Sequence, residues 1–184
     1  ALLRDVSPAA AAELGAIEWA SVAMVTLAYA AEGEPTWEGS GFLVPRRERR
    51  FVTAGSWVGR KWPHLDVPGL LIIRASAGRV DDERIAALDD DEVVAAVHDD
   101  LAAAMGLRAR PVERRVTRWT AAFPQYGVGH LARVARAEQR LAHDAPGVVV
   151  AGAALRGVGI ATCITGGRGA AQRVREFLHE VRVR

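Results

Sequence analysis

The chain has 184 residues, of which 50% are hydrophobic and 25% charged; this is a globular composition with enough apolar surface for a core, and it excludes a disordered tail or a collagen-like repeat. The 24 Lys+Arg against 22 Asp+Glu leave a formal net charge of +2, too small an excess to argue for nucleic-acid binding. The single cysteine, Cys163, excludes an internal disulfide framework and a multi-cysteine zinc site and makes a reducing compartment the default.

No apolar run approaches the roughly 18 residues that a membrane span needs. The longest, around Val22 to Ala31, is interrupted by Thr26. The N-terminus carries Arg4 and Asp5 and lacks the apolar stretch of a signal peptide. The chain opens on Ala1 rather than Met and is expected to be processed or cut from something longer. Lys61 is its one lysine; with so much Ala, Gly and Val, that bias suggests a GC-rich genome.

Ser7-Pro8 followed by Ala9 to Leu14 predicts a short capped helix, because serine accepts free amides and proline is tolerated in the first turn. Residues 19–31 are rich in β-branched and aromatic types and predict a strand buried on both faces. GFLVP (41–45) and FVTAGSWVG (51–59) read as a hairpin around the charged turn 46–50, and LLIIRAS (70–76) as a fourth strand. The first 80 residues are therefore expected to be mostly sheet, in part antiparallel. Asp89, Asp90, Asp91 and Glu92 open an amphipathic helix whose apolar face is Val93, Val94, Val97, Leu101 and Met105, with Gly106 as its stop. Acidic residues suit a helix N-terminus, which is a better account of them than a metal site.

RPVERRVTRW (110–119) predicts a strand with alternating exposed arginines, and AAFPQYGVG a loop. A helix is expected from about Gly129 to His143, carrying Leu131, Val134, Glu138 and Leu141 on one stripe, and ending at Pro146-Gly147. GVVVAG (147–152) reads as a short apolar strand of the parallel-sheet kind. A last helix follows, with Ala171, Val174, Phe177, Leu178 and Val181 facing inward.

The segment 148–181, read as strand, glycine loop and helix, is the most informative. Gly152 and then Gly157-Val158-Gly159 let a planar or anionic ligand touch the backbone, and a helix N-terminus offers unpaired amides. The same spacing serves a tight turn with close helix packing equally well. It is not a complete dinucleotide fingerprint, since Thr162 stands at the third glycine position. His64, His98, His130, His143 and His179 are scattered without ligand spacing and read as surface or packing histidines. Cys163, in an apolar stretch, reads as packed. Of the five tryptophans, most are expected in the core, with one or two free to line a flat ligand. The side chains offer no acid–base or nucleophilic set, so an enzyme built on this chain needs a cofactor for its chemistry.

Four stretches, GSGFLVPRRERRFVTAGSWVGRKWPH (39–64), LLIIRASAGR (70–79), RWTAAFPQYGVGHLARV (118–134) and VVVAGAALRGVGIATCITGGRGAA (148–171), resemble in collinear order the C-terminal part of the porphyrinogen oxidases. That group comprises protoporphyrinogen oxidase and bacterial coproporphyrinogen III oxidase, within the FAD-dependent, amine-oxidase-like flavoproteins. Pro-Gln-Tyr-Gly-Val-Gly-His is the most telling of these motifs. The resemblance implies a mixed α/β (α+β) fold. Residues 1–146 would belong to a substrate-binding sheet domain with a helix inserted at about 90–106, and 147–184 would be the last strand, loop and helix of a Rossmann-like FAD-binding domain. It implies FAD-dependent removal of hydrogen from a porphyrinogen, in haem biosynthesis, with oxygen as acceptor and porphyrin and hydrogen peroxide as products. The flavin takes the hydride in such enzymes, so no protein acid or base is essential.

By the same resemblance, Gly152, Ala153, Val158, Gly159 and Ile160 are the flavin contacts, with Trp119 a further one. Gly41, Leu43, Ile73 and Arg74 border the porphyrinogen, Arg74 offering a guanidinium fork to a propionate; a plain surface arginine is the competing account. No catalytic side chain and no metal ligand is implied. Members of this group begin with a strand and glycine-rich loop for the ADP half of FAD, and no such segment occurs in these 184 residues. The chain is thus expected to be a C-terminal portion, inactive alone, whose partner is the N-terminal FAD-binding part. Ala161-Thr162 stands where the group commonly has Pro-Asp, which removes an acidic contact there. A second copy is a compatible partner, nucleic acid is not expected, and the location implied is cytoplasmic with at most peripheral membrane contact. A related amine oxidase or carotenoid desaturase, or a binding module without cofactor, are the alternatives.

Overall fold

The computed structural model describes residues 2–82 and 84–183; Ala1, Glu83 and Arg184, and with them the expectation drawn from Ala1, lie outside the described residues. In chain order the elements are α1 (Pro8–Gly15), β1 (Trp19–Ala30), β2 (Gly41–Leu43), β3 (Val52–Trp57), α2 (Val58–Lys61), β4 (Leu70–Ala77), α3 (Arg84–Ala87), α4 (Asp90–Met105), β5 (Glu113–Pro124), α5 (His130–Asp144), α6 (Ala153–Arg156) and α7 (Ile160–Val183). They form two compact units, one spanning Ala20–Phe123 and the other made from both ends of the chain, up to Trp19 and from Pro124 onwards. These units divide the chain at other points than the functional segments 1–146 and 147–184 read from the sequence; that division is a separate proposal.

The Ala20–Phe123 unit is a five-stranded sheet in the order β2-β3-β4-β1-β5. The hairpin forms as expected, with Gly41 opposite Ser56 and Leu43 opposite Ala54. β3 pairs antiparallel with β4, and β4 antiparallel with β1. Because side chains alternate across a strand, this register sorts the sheet into two faces. Trp57, Ile73 and Leu27 share one row, as do Ala75 and Val25. This face carries the core, built with Val93, Val97 and Leu101 of α4. Gly55, opposite Phe42, has no room for a side chain: a Cβ there would lie 2.8 Å from the Phe42 ring. The opposite face bears Gly41, Ser56, Arg74 and Thr26 in one row and Leu43, Ala54, Ser76 and Met24 in the next.

α4 follows the acidic reading closely. Asp89 and Glu92 form a reciprocal capping box, each carboxylate accepting the other's amide at 2.9 Å. Gly106 ends the helix in the left-handed conformation, φ 72°. On its buried side His98 meets Tyr29, Oη to Nδ1 3.1 Å. Burial, aided by the charge of Glu34, pushes the Tyr29 phenol far above its ordinary range. Burial first, and then Arg110, pull His98 below its ordinary value. Both are therefore neutral at pH 7, one of the pair donating to the other.

In the other unit, Ser7 caps α1 through the Ala10 amide and donates to Asp144 Oδ2 at 2.6 Å. Ala10, Ala137 and Leu141 make a small core between α1 and α5. Three expectations need correcting. The strand expected at 110–119 is β5, shifted to Glu113–Pro124 and taking in residues read as loop; Pro124, without an amide to donate, ends it. The segment 147–152 is not a strand: a strand needs a laddered neighbour, and among the described residues none pairs with it. Finally, α7 does not bury its apolar stripe. Ala170 is its only buried residue among those described, Val174 and Phe177 are half-buried, and Ala171, Leu178 and Val181 are exposed.

Candidate functional site

α6 is one helical turn set between two glycines whose backbone only glycine adopts readily, Gly152 at φ 133° and Gly157 at φ 147°. At Gly157 space is short as well, since a Cβ would stand 2.7 Å from Thr162 Cγ2. Gly159 faces open space, its virtual Cβ reaching only Thr162 Oγ1 at 3.8 Å. The chain then enters the 24-residue α7 at Ile160. The first amides of that helix have no carbonyl partner inside it and carry its partial positive charge.

The turn is open. Ile160 is 81% exposed and Val158 44%, which leaves two apolar side chains and a bare strip of backbone facing outward. A cleft of about 150 Å³ beside it is lined by Ala151, Gly152, Gly157, Thr162 and Gly166 among others. The expected flavin contacts Gly152, Ala153, Val158, Gly159 and Ile160 are thus gathered on one short stretch. An exposed strip without large side chains, rimmed by apolar residues and backed by helix amides, fits the face and edge of a flat, electron-accepting ring.

Two residues outside the expected contacts, Tyr126 and His130, hold this turn, the histidine being one of those expected at the surface or in packing. Tyr126 Oη donates to the Ala153 carbonyl and accepts the Gly157 amide at 2.8 Å. His130, at the start of α5, lies under the Tyr126 ring, with centroids 4.0 Å apart and planes 11° from parallel. Its Nε2 sits 2.9 Å from the Leu155 carbonyl, so that nitrogen carries a proton. Arg156, next along, pairs with Glu138 at 2.5 Å. The signal was present in the Pro-Gln-Tyr-Gly-Val-Gly-His run: a tyrosine and a histidine four apart bracket the entry to a helix. Nothing local in the sequence says that they close on residues 153–157.

The expected substrate contacts lie in the sheet unit. Gly41, Leu43 and Arg74 share the sheet face away from α4, Leu43 being 82% exposed and Arg74 exposed between Thr26 and Ser56. Ile73 points the other way and is fully buried in the core. Adjacent strand residues face opposite sides, so Ile73 and Arg74 do not present side chains to one ligand. Trp119, on β5, is 52% exposed, while Trp57 is buried and stacks on Trp37 with centroids 6.2 Å apart.

Comparison with known proteins bears on this arrangement. The profile described as flavin containing amine oxidoreductase matches residues 2–175. The coproporphyrinogen III oxidase of Bacillus subtilis (strain 168) is 36% identical over 141 residues, covering 77% of this chain and 30% of its own. That of Staphylococcus aureus (strain NCTC 8325 / PS 47) is 34% identical over 155 residues, 84% of this chain and 33% of its own. Among solved structures, a protein of Exiguobacterium sp. 255-15, provisionally named a protoporphyrinogen oxidase, superposes with a TM-score of 0.81 at 28% identity, over 97% of this chain and 39% of its own. The chain spans about a third of the length of the curated relatives it matches.

Proposed function

Because the chain belongs to the flavin containing amine oxidoreductase family, we propose that it is the C-terminal portion of an FAD-dependent porphyrinogen oxidase of haem biosynthesis. The observation that carries this reading is the open turn 157–160 at the head of α7. FAD, when bound, supplies the acceptor for hydrogen removed from the porphyrinogen and delivers it to oxygen as hydrogen peroxide.

The chain's own contribution is to bind and orient. Gly152, Ala153, Val158, Gly159 and Ile160 hold the ring, Val158 and Ile160 by apolar contact and the α7 amides by favouring negative charge. On the open face of the sheet, Arg74 takes a carboxylate of the substrate through its planar fork. Gly41 and Leu43 border the same face, Gly41 leaving the backbone bare because a Cβ there would stand 2.3 Å from the Gly55 carbonyl. Trp119 offers a flat apolar surface. The two named substrates differ in carboxylate number, and a single arginine pairs with a propionate of either. The nucleotide half of FAD is held by the N-terminal portion, and the protein is cytoplasmic. Among the described residues no helix is long and apolar enough to cross a membrane.

The test joins this chain to the N-terminal part of such a protein and supplies FAD, oxygen and either porphyrinogen. Porphyrin fluorescence should appear with hydrogen peroxide, and Arg74→Ala should raise KM by about tenfold or more, a loss of about 1.5 kcal/mol or more with its charge-assisted hydrogen bonds. Oxidation of simple amines with no turnover of either porphyrinogen would overturn the substrate class. The 184-residue chain alone should retain little flavin. A full flavin spectrum in the purified chain would show that the missing portion is not needed.

A further inference from the structure

We propose that Tyr126 and His130 are positioning residues that set where the glycine turn stands, and through it the environment of the flavin; this rests on the reading that 157–160 lies against that ring. α6 is four residues long, too short to hold its own shape. It is also flanked by two glycines, Gly152 and Gly157, whose own preferences do not fix it. Its position must come from outside. The contacts that supply it fall at its first, third and fourth residues and the residue after it, the fourth through the Arg156–Glu138 ion pair. Tyr126 binds Ala153 and Gly157 through one hydroxyl, and His130 binds Leu155.

The two aromatic rings are stacked, and His130 is buried while Tyr126 is exposed. The histidine therefore anchors the tyrosine, and the tyrosine clamps the turn. One hydroxyl that both donates to 153 and accepts from 157 fixes the distance across α6. That distance decides the register in which Val158 and Gly159 are presented.

Tyr126→Phe keeps the ring and its stacking but removes both hydrogen bonds. In the 184-residue chain, hydrogen exchange of 152–160 should rise on the order of tenfold in this variant, with 20–123 unchanged. In the complete flavoprotein the same variant should shift the visible flavin band and the midpoint potential, and kcat should fall more than KM rises. His130→Gln, whose amide N–H can still reach the Leu155 carbonyl, should keep more of the wild-type spectrum than His130→Phe. Unchanged exchange in Tyr126→Phe would overturn the clamp, whatever lies against the turn. Faster exchange with a wild-type spectrum, potential and kcat would overturn the placement of the flavin at 157–160, and the positioning role with it.

Discussion

Gly157 carries two independent demands, a dihedral of φ 147° and the absence of a Cβ that would meet Thr162. Gly157→Ala should therefore cost about 1–3 kcal/mol, read as a lowered unfolding midpoint. Thr162→Ala in the same chain relieves the contact but not the dihedral, so the double variant should recover only part of the loss. His98 makes a different prediction. Its folded value lies below the ordinary 6.5, so between those values the unfolded chain binds the extra proton. Stability from this group is present above pH 6.5 and is lost as pH falls through that window. Thermal midpoints measured downward from pH 6.5 should fall in the wild type and fall less steeply in His98→Gln. From sequence His98 reads only as a surface or packing histidine, although it stands four residues from Val94 and three from Leu101 on the buried stripe. Its partner Tyr29, on a distant strand, was not legible.

Where hydrophobic periodicity and a cap agree, an element is readable from sequence alone. α4 is the clearest case, and its capping box makes Asp89→Ala cost about 1 kcal/mol in thermal or denaturant unfolding. The hairpin and β4 were equally plain, because alternation and turn residues coincide. α7 shows where the signal fades: Gly166, Gly167 and Gly169 all lie within it. Each lowers helix propensity by about 0.5–1 kcal/mol relative to alanine. A Cβ on Gly166 meets nothing within 4 Å. Gly166→Ala should accordingly stabilise the chain by up to about 1 kcal/mol, seen as a raised midpoint. The segment 147–152 failed for another reason. Composition says that Val148, Val149 and Val150 would suit a strand, but only a neighbouring strand makes one.

At the scale of the whole molecule, the sheet unit closes its own core, while the other unit leaves an unpaired apolar segment and a long helix with exposed Ile160, Ile164, Leu178 and Val181. The architecture class and the turn at 157–160 were legible from motif order. Which residues of different strands share a face was legible only once register was known; Ile73 and Arg74 were paired by the resemblance, although alternation along one strand already turns them to opposite sides. Exposed apolar surface of this extent marks a docking region. The chain expressed alone should bind a hydrophobic dye strongly and self-associate, and, if the proposed N-terminal portion covers this surface, adding that portion should suppress both. Equal dye binding with and without that part would count against the expected cover.

Ser7 and Asp144, joined by one short hydrogen bond across 137 residues of sequence, tie α1 to α5. As the polypeptide leaves the ribosome, residues 20–123 can fold as soon as β5 emerges. α1 lacks its partner in the small core, Ala137 and Leu141, until α5 has followed. Closing so long a loop carries an entropic cost, and until then α1 is solvent-facing and available to chaperones. The order of translation thus lets the unit Ala20–Phe123 close before the unit that bears the turn.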